Sequence, residues 1–229
     1  MVRSVGASSE SDATGPRVRR RAVVELAESL RELLDAAVST TAPAPVLRAV
    51  AARVRDVVAQ LSADRRGRFE APDVDEAGRG ARFYNPVAGP GNPMAPPLRT
   101  RTDGDVVIGT CTLGLGYEGP RSWAHGGVSA MLLDHVLGHA NFASTGRAGL
   151  TVSLSLRYRS PVPLQTPLRL TGRVVADEDG KVTTAGAIAT EAEPETALVE
   201  AEGVFVSPRP DQARRLYGAD APGAESARD

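Results

Sequence analysis

The run Gly126–Ala143 (GGVSAMLLDHVLGHANFA) restricts what this chain can fold into more than any other stretch. It is rich in helix formers and, with its histidines neutral, carries a single charge, Asp134. A helix that is apolar nearly all round is expected to be buried. The chain downstream of it reads as strands. In residues 151–159 the alternation is strict. Val152, Leu154, Leu156 and Tyr158 fall on one face, and Thr151, Ser153, Ser155, Arg157 and Arg159 on the other. Residues 168–175, 181–190 and 196–206 continue the pattern, separated by turns at SPVP, DEDG and AEPE. Turns this short predict an antiparallel meander, because a parallel crossover needs about a dozen residues or more. Another strand signal, VVIGTCTLGLGY, precedes the helix, bounded by DGD and EGP. The pattern points to the α+β class, an antiparallel sheet wrapped around a central buried helix.

Upstream the composition changes. Residues 1–16 are small and polar and read as a disordered leader. Val23, Val24, Leu26, Ala27, Leu30, Leu33, Leu34 and Ala37 then recur at helical spacing. After the breaker TTAPAP comes a second amphipathic run through Val46, Leu47, Val50, Val54, Val57, Val58 and Leu61. Pro45 suits its first turn, where a missing N–H costs nothing. Residues 17–65 therefore predict an N-terminal helical hairpin. It is too small to bury a core of its own and should lie against the main domain or a partner. A charged, glycine-containing linker (63–82) and a Pro- and Gly-dense loop (83–98) lead into the main domain, which spans 66–208. The polar residues 209–229 read as a flexible tail.

Bulk properties exclude several classes. A net charge of −1 over 229 residues supplies no general attraction to nucleic acid or an anionic membrane. One cysteine rules out an internal disulfide framework and fits a reducing compartment. The first residues lack the apolar core of a secretory signal, and no stretch approaches the ~18 apolar residues of a membrane span. The expectation is a cytoplasmic protein with no membrane span and no nucleic-acid partner.

The chemistry concentrates around the long helix. A carboxylate in mid-helix among apolar residues is costly unless paired or solvated. The residues three and four positions from Asp134 are Ala130, Met131, Leu137 and Gly138, and none can pair with it. Such a carboxylate suits a general base or a nucleophile, or else a structural hydrogen bond to a loop. Gly126 and Gly127 place N–H groups at a helix start, where no intrahelical acceptor exists. Those donors and the helix dipole suit an oxyanion; a tight strand-to-helix turn is the plainer reading. His125 is a candidate for orienting that turn or for bonding a substrate oxygen, and equally for an N-terminal capping or packing role.

The segment Tyr117-Glu118-Gly119-Pro120 … His125-Gly126-Gly127 … Asp134 resembles the PaaI-type branch of the hotdog thioesterase superfamily, in which HGG opens the central helix and an Asp stands nine residues after the His. The resemblance extends from about Phe83 to Val206 and does not cover the helical hairpin. Two departures stand out. Arg121 replaces a second proline, and around Gly91-Asn92-Pro93 the family's Cys is absent and Ala95-Pro96-Pro97 replaces a Gly-Leu stretch. The resemblance implies a hotdog fold and hydrolysis of an acyl-CoA or acyl-carrier thioester. In it Asp134 is base or nucleophile, Gly126, Gly127 and Asn92 bind the oxyanion or substrate, and Thr151 holds the attacking water; by its own position, heading a polar face with Ser153 and Ser155, Thr151 reads equally as a plain strand-edge residue.

Geometry adds an inference about assembly. At about 1.5 Å per residue, Gly127 and Asp134 lie roughly 10 Å apart along one helix, so one thioester carbon can hardly meet both. Two such helices paired antiparallel across a twofold axis would complete the site, with a homodimer or homotetramer as the active unit. Arg157, Arg159 and Lys181 are candidates for CoA phosphates. No cofactor and no metal is called for. His135 and His139 share a helix face, but the HExxH pattern is absent. Two other functions fit less well: a non-catalytic hotdog module binding an acyl ligand or a partner, and an enoyl-CoA hydratase using Asp134 and His139. A five-residue helical step turns the second group about 140° away from the first, which opposes the hydratase.

Overall fold

The structure is a computed structural model that describes residues 15–68, 70–74, 82–178, 180–209 and 212. Most of the expected leader, much of the expected linker and nearly all of the expected tail lie outside the described residues. The chain divides into two compact units, Met1–Asp75 and Glu76–Asp229.

The first unit holds two helices. α1 spans Pro16–Ser39, with Pro16 in its opening turn, and α2 spans Ala44–Ser62, with Pro45 likewise. Between them Thr40 Oγ1 accepts the Ala42 N–H. The segment ending at Val74 returns to the start of α1, where Arg20 Nε donates to the Val74 carbonyl. The helices the spacing predicts are therefore present, but they do not bury each other's stripes. Ala27 is the one buried residue of α1, and α2 has none. Val46, Leu47, Val50, Val54, Val57, Val58 and Leu61 are all exposed.

The second unit carries six antiparallel strands and one long helix. In chain order they are β1 (Arg99–Asp103), β2 (Val106–Thr112), α3 (Gly126–Thr145), β3 (Leu150–Tyr158), β4 (Pro167–Glu178), β5 (Lys181–Thr190) and β6 (Val199–Val206). The sheet order is β1-β2-β4-β5-β6-β3. This is the hotdog α+β architecture: α3 lies across one face, with Leu132, Leu133, Val136, Leu137 and Ala140 buried against Leu168, Leu170, Ile188, Val199 and Phe205. Strand glycines admit the helix. A Cβ at Gly172 would stand 3.0 Å from Val136 Cγ1, and one at Gly186 would stand 3.0 Å from Leu137 Cδ2.

Four points differ from what the sequence predicts. First, the strands after α3 are antiparallel but not a simple meander, because β3 pairs with β6 at the sheet edge and not with β4. Residues 159–166 are no tight turn. They run past the chain that precedes α3, with the Ala124 N–H bonded to the Val162 carbonyl, Leu164 N–H to Ser122 and Gln165 N–H to Leu113. Second, β1 carries no sequence signal. Its Arg-Thr-Arg-Thr-Asp run is largely exposed at an edge, so it has no apolar face to announce it. Third, α3 is buried on one side only. Ser129, Leu132, Leu133, Val136, Leu137, Ala140 and Asn141 are buried, while Gly127 and Phe142 are exposed and Met131, Asp134, His135 and Gly138 are half-buried.

A fourth correction concerns β3. Thr151 stands opposite Phe205 and Ser153 opposite Val204, so Val152 is an extra residue in the ladder. This β-bulge resets the parity of the strand. Thr151 therefore joins Leu154, Leu156 and Tyr158 on the helix side, whereas strict alternation predicts the other face.

Candidate active site

Two groups of residues assemble along the open side of α3. The first is built on Asp134, in mid-helix. Thr151 Oγ1 donates to Asp134 Oδ1 over 2.9 Å, so the carboxylate finds across the fold the partner its own helix cannot offer. The bulge at Val152 brings that hydroxyl to bear. A carboxylate that is half-buried, and held through one oxygen, keeps its other oxygen for a water or a substrate.

The second group is the start of α3. His125 is its N-cap residue, and its Nδ1 accepts the Gly127 N–H over 3.0 Å. An accepting Nδ1 leaves the proton of the neutral ring on Nε2. The neighbouring donors are engaged too: Ala124 N–H with the Val162 carbonyl, His125 N–H with the Tyr117 carbonyl, and Val128 N–H with the His125 carbonyl, each at 2.9 Å. Among the described residues, only Gly126 leaves an N–H of this stretch without an acceptor. Tyr158, at the far end of β3, donates its hydroxyl to the Gly126 carbonyl over 2.9 Å.

The loop before the helix is shaped to present this turn. Glu118 Oε1 accepts the Ser122 N–H, Gly119 N–H bonds the Trp123 carbonyl, and Ser122 takes a left-handed φ of 68°. A Cβ at Gly119 would stand 2.7 Å from His125 Cα, so glycine is required for the close approach. The Glu118-Gly119-Pro120 run thus has a packing role that its sequence alone does not reveal.

A solved crystal structure of a thioesterase superfamily protein shares 37% sequence identity with this chain, at a TM-score of 0.71, covering 80% of this chain and 94% of the other. The chain belongs to the thioesterase superfamily. The superfamily's own family model matches residues 123–177, which hold the HGG turn, Asp134 and Thr151. A Streptococcus mutans structure bound to acetyl CoA is similar at 20% identity and TM-score 0.44, covering 48% of this chain and 88% of the other. A hypothetical thioesterase with coenzyme A from Streptococcus pneumoniae is similar at 21% identity and TM-score 0.43, covering 48% of this chain and 86% of the other. Among curated proteins no match is found.

Other candidates in this thioesterase-superfamily chain are placed differently. Both ends of the Asn92 amide serve its own loop: Nδ2 donates to the Tyr84 carbonyl and Oδ1 accepts the Met94 N–H. Arg159 pairs with Glu200, its guanidinium within 2.9 Å of Oε2. Arg157 stands opposite Glu200 in the ladder, whereas Lys181 aligns with Val206 and Leu150. At about 3.3 Å per residue, that separates Lys181 from Arg157 by roughly 20 Å, so the three cations do not form one cluster. His135 is pushed down from its usual value by burial, with His139 adding to the effect and Asp134 opposing it; burial lowers His139 as well. Cys111 is buried in β2, and burial pushes its thiol up to about 12, which makes it inert as a nucleophile. Among the described residues no helix is long and apolar enough to cross a membrane.

Proposed function

We propose that this chain hydrolyses an acyl-CoA or acyl-carrier thioester, in the manner of the PaaI-type branch, at a site shared between two copies. The observation that carries this reading is the Thr151–Asp134 hydrogen bond on the open side of α3. It leaves one carboxylate oxygen for a water beside a hydroxyl that can steady it. Asp134 then acts as general base toward that water, or attacks the thioester carbon itself to form an anhydride that water opens. Either route yields the free acid and the thiol.

The oxyanion needs donors already aimed at it. Gly127 N–H is spent on His125 Nδ1, so the geometry favours the Gly126 N–H, aided by the positive end of the helix dipole and by His125 Nε2–H. These donors lie roughly 10 Å or more from Asp134 on the same helix, by the rise of about 1.5 Å per residue. A second copy, docked antiparallel over the half-covered side of α3, brings its own helix start to Asp134. Phe142, exposed on the same stripe of α3 as Asp134 and Gly138, supplies apolar surface for such docking.

The test uses purified protein, a panel of acyl-CoAs and a thiol reagent. Asp134→Asn should lower turnover by about 10² to 10⁴, the usual worth of a positioned base, with the melting temperature little changed. Unchanged turnover would remove Asp134 from the mechanism. Tight acyl-CoA binding with no hydrolysis of any chain length would turn the reading into a binding module.

A further inference from the structure

The hydrogen bonds at the start of α3 form a directed chain. The Tyr158 hydroxyl donates to the Gly126 carbonyl over 2.9 Å, and the N–H of the same peptide unit, on Gly127, donates to His125 Nδ1 over 3.0 Å. The Gly126–Gly127 peptide is thus clamped at its oxygen by a strand residue and at its nitrogen by the ring before it. The Tyr158 ring also lies against Gly126, where an added Cβ would meet Cε1 and the hydroxyl oxygen at 3.4 Å.

Donors running in one direction polarise each other. A carbonyl that accepts a hydrogen bond makes the N–H of its own amide a stronger donor, and a neutral imidazole that accepts at Nδ1 must carry its proton at Nε2. We propose that Tyr158 is a positioning residue that acts through the Gly126–Gly127 peptide on His125, fixing its Nε2–H tautomer and aiming it, with the adjoining Gly126 N–H, at the substrate carbonyl oxygen. This rests on the hydrolase reading above and adds a residue to it. The strand that brings Thr151 to the carboxylate holds the oxyanion donors at its other end, since Thr151 and Tyr158 both lie on β3 and, past the bulge, on the same face. A catalytic hydrogen bond gains from donors held before the charge develops, so loosening the clamp should cost rate more than binding.

The test is Tyr158→Phe, which keeps the ring and removes only the hydroxyl. Expected are a fall in kcat of about 5- to 30-fold, as for loss of one hydrogen bond, with KM within about twofold and an unchanged melting temperature. Amide exchange at Gly127 should quicken, and the His125 ring nitrogens, followed by NMR, should lose the signature of a single Nε2–H tautomer. Wild-type kcat together with unchanged Gly127 exchange would overturn the proposal. A rise in KM at constant kcat would also overturn it, as it would make Tyr158 a binding contact. If the wild-type protein hydrolyses no thioester, the hydrolase reading fails by itself, and the exchange and tautomer measurements still decide whether the clamp exists.

Discussion

Thr151 and Asp134 show how much a single hydroxyl can be asked to do. The hydroxyl holds one carboxylate oxygen at 2.9 Å and leaves its own lone pairs to a water. Thr151→Ala should therefore cost turnover about 10- to 100-fold, the worth of a hydrogen bond to a charged group, while Thr151→Ser keeps most of it; steady-state kinetics on one acyl-CoA decide. Equal activity in both variants would make the contact incidental. At this scale the sequence is unevenly legible. Asp134, His125 and the two glycines can be read because helix spacing and one isolated charge are local signals. The side on which Thr151 lies cannot, because the bulge at Val152 changes parity without any glycine or proline to mark it. Nor does the sequence single out Tyr158, whose partner is a backbone carbonyl 32 residues away.

Helix α3 couples burial to protons. His135 and His139 are held below their ordinary value of 6.5, mainly by burial. Burial disfavours the charged form of both rings in the folded chain, so as pH falls the unfolded chain takes up protons first. The stability contributed by neutral burial is full above pH 6.5 and is lost as pH falls below it toward the depressed values. The melting temperature should drop between pH 7.5 and pH 5, and His135→Gln should flatten that slope; a slope unchanged in the variant would assign the acid sensitivity elsewhere. Among the elements, α3 and β3 to β6 are readable from periodicity. Edge strand β1 is not, since exposed Arg and Thr carry no pattern, and the passage from β3 to the middle of the sheet depends on hydrogen bonds between segments far apart in sequence, as between Ala124 and Val162 or Leu113 and Gln165.

For the whole molecule, the half-covered side of α3 is where the sequence and a single chain differ most. A run apolar on every side predicts cover on every side, and one copy covers only the side facing the sheet. If a second copy completes the site, two defective chains should rescue each other. Mixing Asp134→Asn with a Gly126→Val chain, each inactive alone, should restore about a quarter of wild-type activity on random twofold pairing, because half the pairs are mixed and each mixed pair has one intact site. No recovery after verified subunit exchange would confine the site to one chain. The bulge in β3 has a consequence of its own. Val152 stands outside the ladder, so Leu150 and Thr151 already face Val206 and Phe205 in the order they would adopt without it. Excising its codon is expected to pass almost unnoticed in a turnover assay. Losing a residue from 154 to 157 can be absorbed only by drawing Val152 into the ladder, which turns the side chains between it and the cut to the opposite faces while Thr151 and Tyr158 keep their places.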